Sequence, residues 1–219
     1  MIFDVIALFP EVLRPYLNES ILGRGIKRKL IKVHFHNLRD FSSISKRGKV
    51  DDRVYGGGPG MVIQVEPVVK AAEKIRKKDR KSKTKVIVLS PAGKQFDDKI
   101  AVRWHKNYDR LIIICGHYEG IDERVQRILK AEEISVGPYV LSGGELAAMI
   151  VIDAVGRKIK GVLGKEGSLE ERRLGVGVPV YTRPEVFIYK SKKYSVPQVL
   201  LSGNHRAIVS WRISHRKSG

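Results

Sequence analysis

The stretch Arg110–Cys115, RLIIIC, constrains the fold more than any other part of the chain. Leu111 to Ile114 are apolar at four consecutive positions, so a strand here must be covered on both faces. A central strand of a parallel sheet, sandwiched between helices, meets that requirement. The rest of the first 160 residues agrees, because short β-branched runs alternate with helix-like stretches. We expect strands at Ile2–Leu8, Ile31–Asn37, Lys85–Ser90, Arg110–Cys115 and Glu133–Val136. Helices are expected at Glu11–Lys29, Pro67–Lys78, Asp97–Lys106, Ile121–Lys130 and Glu145–Lys160, with Pro10 and Pro67 as starts. The fold class is α/β.

From Gly161 the texture changes. Residues 161–184 carry five glycines, two prolines and no sustained period, and read as a linker. The remaining stretch, 185–219, is too short and too polar to hold a core alone. The chain therefore divides into a domain at 1–160, a linker at 161–184 and a small basic module at 185–219.

Charge indicates the partner. The 219 residues carry 42 Lys+Arg against 23 Asp+Glu, a formal net charge of +19. Such an excess favours a polyanion, because each phosphate contact releases condensed counterions. The excess is uneven: Lys70 to Lys85 holds nine basic residues against Glu73 and Asp79, and nothing after Glu185 is acidic. The first cluster is equally consistent with a solvated basic face, whereas the acid-free tail favours nucleic acid. No apolar run reaches the roughly 18 residues of a membrane span, and the apolar start lacks a basic flank and contains Asp4. A cytoplasmic location is expected. The single cysteine, Cys115, excludes an internal disulfide and reads as a core residue, and no Cys/His cluster has zinc-ligand spacing. His34 and His36 alternate along an expected strand and read as structural.

Three glycine-bearing loops follow expected strands, at 89–97, 115–125 and 135–146. Open α/β sheets place ligands at the carboxyl ends of their strands, and glycine lets a ligand approach the backbone closely. Neither G-x-G-x-x-G after a strand nor G-x-x-x-x-G-K-[ST] occurs, so the dinucleotide cradle and the P-loop are both unsupported. A fourth loop, VDDRVYGGGPGMV at 50–62, reads as a substrate-gripping loop or as a capped surface turn.

Six motifs occur together in order: VDDRVYGGGPGM, CGHYEGIDERV, VGPYVLSGGELAAM, GVLG, YTRPEV and VLLSGNH. In these the chain resembles the bacterial tRNA (guanine-37-N1)-methyltransferases of the SPOUT class, from residue 1 to about Arg212. The resemblance implies a parallel sheet whose C-terminal half is tied in a deep trefoil knot, followed by a linker and an RNA-binding module. It implies S-adenosylmethionine as methyl donor, tRNA as substrate and a homodimer with a composite active site, with neither DNA nor membrane among the partners. On that reading Leu89, Ser90 and Pro91 form one wall of the cofactor site, and Gly116, Tyr118, Glu119 and Gly120 a second. Val136, Gly137, Pro138, Tyr139, Val140, Leu141, Gly143 and Gly144 form the third. Substrate contacts fall on Asp51, Asp52, Arg53, Tyr55, Gly57 and Gly58, and on Ser202, Asn204 and His205.

Methylation at guanine N1 needs a base, because that nitrogen carries a proton, and gains from a cation near O6. The resemblance assigns the cation to Arg157, which alone would read as a residue complementing a helix C-terminus. Glu119 falls near the sulfonium, or near a magnesium ion, with no permanent metal site; taken alone it would be a surface acid in a turn. The family's base is an aspartate in the linker, and this chain has no aspartate after Asp153. Glu171, or failing that Glu170, is the expected substitute. His117, Pro138 and Ala147 stand where many relatives carry Arg, Asp and Pro. Relatives also continue well beyond the GNH…WR stretch, so the C-terminal module is expected to be truncated, with its basic residues contacting phosphates. The alternatives are a related SPOUT methyltransferase acting on another RNA, or a catalytically silent RNA-binding descendant.

Overall fold

The computed structural model describes residues 1–43, 48–163 and 177–216. The chain forms two compact units, Met1–Leu163 and Gly164–Gly219.

The first unit is built on five parallel strands: β1 (Ile2–Ala7), β2 (Lys32–Asn37), β5 (Thr84–Gln95), β6 (Arg110–Cys115) and β7 (Glu132–Ser135), in spatial order β2-β1-β6-β5-β7. A short antiparallel pair, β3 (Asp51–Arg53) and β4 (Met61–Ile63), stands apart from the sheet. Strand β6 is central and every residue in it is buried. Its Leu111 and Ile113 pack with α1 (Arg14–Leu17), α2 (Ser20–Lys27), α4 (Asp98–Asn107) and α6 (Glu145–Gly156). Ile112 and Ile114 pack with α3 (Val65–Lys78) and α5 (Arg124–Leu129) on the opposite face. The run of four apolar residues thus serves two helical layers at once.

The five sheet strands occur where expected, with three informative departures. The helix expected at Glu11–Lys29 is a 3₁₀ turn at Pro10–Leu13 followed by α1 and α2. Ser20, at φ 54°, breaks it, and the carbonyl of Asn18 packs where a Gly23 side chain would sit. Strand β5 runs to Gln95 instead of ending at Ser90. Its register against β7 jumps between Leu89 and Lys94, so residues 90–93 bulge out and Lys94 rejoins β7 beside Ile134. Gly93 lies against the Glu133–Ile134 backbone with room for no side chain, a Cβ there falling 2.4 Å from the Ile134 nitrogen. Helix α6 stops at Gly156, four residues early, where the glycine packs on Leu22 and Ile31. Two smaller departures concern helix starts. Helix α5 begins at Arg124 because Ile121 and Asp122 pair with Ile63 instead, and Pro67 is the third residue of α3.

One buried polar cluster stabilises the sheet. Asp4 on β1 accepts from Arg110 on β6 at 2.6 Å and lies 2.7 Å from His36 and 3.2 Å from His34 on β2. Burial alone would raise the Asp4 carboxyl, but the hydrogen bond from His36 and the charge of Arg110 outweigh it and hold it below the usual range. The two histidines are structural, as their spacing suggested.

The second unit contains β8 (Val186–Tyr189) paired antiparallel with β9 (Lys192–Ser195), then α7 (Gln198–Leu201) and α8 (His205–Ser214). Val178 is the one buried side chain among its described residues, consistent with a segment too polar to build a core. No described helix is long and apolar enough to cross a membrane.

Candidate active site

The three glycine loops converge. One bulges out of β5, the other two follow the carboxyl ends of β6 and β7, and together they enclose one cleft of about 470 Å³. Leu89, Ser90 and Pro91 line it from the β5 bulge, where the Ser90 hydroxyl accepts from the Ala92 backbone N–H. Gly116, Tyr118, Glu119 and Gly120 line it after β6, and Val136, Gly137, Tyr139, Val140, Leu141, Gly143 and Gly144 after β7. Of the expected cofactor residues Pro138 alone points elsewhere, exposed and outside the lining.

Backbone hydrogen bonds lock the loops together. Gly144 N donates to Gly116 O at 2.8 Å, His117 bridges to Gly143, and Phe96 N donates to Ser135 O at 2.7 Å. Ser135 is buried, and its hydroxyl donates to Gly137 O and accepts from Gly137 N, closing the turn after β7. Gly144 could be no other residue: a Cβ there would fall 2.7 Å from Cys115 Cα and 2.9 Å from Cys115 Cβ. The Tyr139 ring covers Gly137, with its Cε1 2.3 Å from where a Cβ would stand. Cys115 is buried beneath these crossings. Burial pushes its thiol well up, and the nearby Glu145 carboxylate adds to the shift, so it is a core residue and not a nucleophile.

The fourth loop lies alongside. Glu119 N donates to Met61 O and Ile63 N to Gly120 O, so the β3–β4 hairpin is stitched to the loop after β6. Tyr118, at φ 60°, has its hydroxyl raised by partial burial and by a hydrogen bond to Asp51. The hairpin tip projects: Tyr55 is 97% exposed, and Gly57 and Gly58, both at positive φ, have open space around them. Asp52 accepts from Arg53 N and pairs with Lys49. This is an arm beside the cleft more than a simple surface turn.

The remaining expected site residues are placed by their own elements. Arg157 caps the far end of α6, about 15 Å along the helix from the cleft-lining Ala147, and does not line the cleft. Asn204 caps α8 by accepting from Ala207 N, Ser202 accepts from Asn204 N, and His205 opens the helix, exposed. Glu170 and Glu171 lie outside the described residues. Sequence reasoning missed Asp122, which also lines the cleft. Its carboxylate takes three hydrogen bonds from Arg124, is lowered by them, and so fixes the start of α5. The Gly-Ile-Asp-Glu-Arg spelling, an acid two residues before a basic helix start, was the available signal.

Among the described residues no group of three His, Cys, Asp or Glu side chains could hold a metal. The cleft is instead lined by glycine backbone and by apolar side chains such as Leu89, Val136 and Leu141. Comparison with known proteins agrees with this geometry. Residues 1–218 match the family described as "tRNA (Guanine-1)-methyltransferase TrmD". The chain is 49% identical over 215 residues to a tRNA (guanine-N(1)-)-methyltransferase of Dehalococcoides mccartyi, covering 97% of this chain and 84% of that relative. It is 46% identical to the enzyme of the same description from Carboxydothermus hydrogenoformans, covering 97% and 81%. Against that from Rhodopirellula baltica it is 44% identical, covering 100% and 90%. With a match running almost end to end and relatives near half identity, the chain belongs to the tRNA (guanine-1)-methyltransferase family.

Proposed function

We propose that this chain transfers a methyl group from S-adenosylmethionine to N1 of guanine 37 in tRNA, in the cytoplasm, as a homodimer. The observation that carries the reading is the convergence of three glycine loops on one cleft at the carboxyl edge of the sheet, in a chain of this family. The cleft volume falls within the range of small-molecule sites. Leu89, Val136 and Leu141 offer apolar walls, and the glycines leave backbone groups within reach of a ligand. S-Adenosylmethionine supplies an electrophilic methyl group on a sulfonium. Glu119 and Glu123, both lining the cleft, provide negative charge that suits a cationic ligand. The chain offers no cage of three His, Cys, Asp or Glu side chains for magnesium among its described residues.

Methyl transfer is a displacement, so positioning dominates the catalysis. The chain's own task is to remove the N1 proton and to neutralise charge at O6. Glu171, or Glu170, takes the proton. The cation is Arg157, and its distance from its own chain's cleft favours a site completed by a second copy. The surface of α6 supports that arrangement. The helix is apolar nearly all round, and Leu146 and Ile150 remain partly exposed beside Phe9, Val12 and Tyr16. Glu145 accepts from Phe9 N and Asp153 from the Tyr16 hydroxyl, so these residues form one continuous face. The tight crossing of 137–144 over Cys115–Gly116, and of the β5 bulge over β7, supports a trefoil knot.

Replacing Glu170 and Glu171 together by Gln should abolish methyl transfer to tRNA while leaving S-adenosylmethionine binding unchanged. Full activity in that variant would reject the glutamate base.

A further inference from the structure

The β8–β9 ribbon presents a surface that the proposed methyl transfer does not use. Its strands pair Phe187 with Tyr194 and Tyr189 with Lys192. Side chains alternate along a strand, so these four share one face, while Val186, Ile188, Lys193 and Ser195 share the other. Lys190 and Ser191 form the turn, at φ 47° and 62°, the two-residue geometry that matches the twist of a hairpin. The ribbon is therefore locally well formed, yet two strands cannot bury a face. Phe187 is 57% exposed, Tyr189 54% and Tyr194 50%.

Three half-exposed rings on one side of a small, polar unit call for an occupant. Charge identifies its chemistry. Lys190 Nζ lies 5.5 Å from the Tyr189 ring and Lys192 Nζ 5.7 Å from the Tyr194 ring. Lys193 adds a third cation to the ribbon from the opposite face, and no acidic residue follows Glu185. A second copy would bring the same positive field to this face and be repelled. An anion with flat, stackable groups fits both features: rings take base faces irrespective of sequence, and ammonium groups take the phosphates between them.

We propose that the ribbon is a stacking platform for unpaired RNA nucleotides, with Phe187, Tyr189 and Tyr194 taking bases and Lys190 and Lys192 taking phosphates. This rests on tRNA being the substrate, and it names the loop nucleotides of that tRNA, rather than its paired stems, as what the ribbon holds.

The test measures binding of the full chain to three RNA probes by fluorescence anisotropy, a single-stranded 12-mer, the same sequence as a duplex and whole unmodified tRNA, and to phosphatidylserine vesicles by co-sedimentation. Tyr189→Leu keeps an apolar strand residue and removes the ring, and should weaken single-strand binding by about 5- to 150-fold. Its salt dependence should be unchanged, since no phosphate contact is lost. Tyr189→Phe should bind within about twofold of the parent, because the ring is retained. Lys190→Gln should weaken binding less and flatten the salt slope by about 0.7. The platform is refuted if Tyr189→Leu and Phe187→Leu both bind the single strand as the parent does, or if they lose duplex binding equally. It is also refuted if the leucine variants lose affinity for phosphatidylserine vesicles but not for RNA. A parent that binds no tRNA would instead overturn the substrate reading, so the two failures are distinct.

Discussion

Asp4→Asn tests the scaffold beneath the cleft. Asp4 has 2% of its side chain exposed and Arg110 7%, at 2.6 Å from each other. Removing one partner of a buried ion pair leaves an uncompensated charge, costing about 3–5 kcal/mol. Asp79 approaches Arg110 at 3.5 Å and takes up part of that charge, though it is 38% exposed. The expected loss is therefore at the lower end, about 3 kcal/mol. Urea unfolding at neutral pH, followed through the buried Trp104, should show the midpoint falling by about 1.5 M for a slope of about 2 kcal/mol per M. The pair Asp4→Leu with Arg110→Met should recover most of the loss, since exchanging both partners for apolar groups is close to neutral. Acid adds an independent arm. The folded Asp4 carboxyl is depressed, so its contribution is complete above the unfolded value of about 4 and declines as pH falls toward the lower folded value. Parent and Asp4→Asn should therefore converge in stability below about pH 4. A variant within about 0.5 kcal/mol of the parent at neutral pH would show that Arg110 is not left uncompensated when Asp4 loses its charge.

Two further outcomes concern the cleft. Gly144→Ala puts a methyl group against the Cys115 backbone, which cannot yield, and should weaken binding of S-adenosylhomocysteine by about tenfold or more in calorimetry. Parental affinity would show that the crossing does not shape the site. Cys115, buried and with its thiol pushed up, should react with a thiol reagent only as fast as the native protein unfolds, and rapid labelling would contradict its place in the core.

Much of this architecture is legible in the sequence because it depends on local chemistry. Four consecutive apolar residues at 111–114 require two covering layers, and glycines after three strands mark where the backbone comes close to a ligand or to itself. What escaped depends on distant partners or on single backbone angles. Nothing near Ser20 signals that the first helix breaks there, because the break is set by Asn18 packing on Gly23. Strand β5 looks finished at Ser90, and only contact with β7 carries it on to Gln95. The Lys190–Ser191 turn lacks the Asn-Gly or Asp-Gly spelling of a tight hairpin, so nothing local marks β8 and β9. Asp4 reads in sequence as an interruption of an apolar run, and its partner Arg110 lies 106 residues away. Arg157 was assigned by resemblance alone, and a single chain keeps it at the opposite end of α6 from the cleft.

The proposed reaction is methyl transfer to guanine 37. Its most direct test is transfer of labelled methyl from S-adenosylmethionine to unmodified tRNA carrying guanine at positions 36 and 37, beside the same tRNA with adenine at 37. Label is expected on the first transcript alone, recovered as N1-methylguanine. Label on both, or on neither while S-adenosylmethionine still binds, would contradict it.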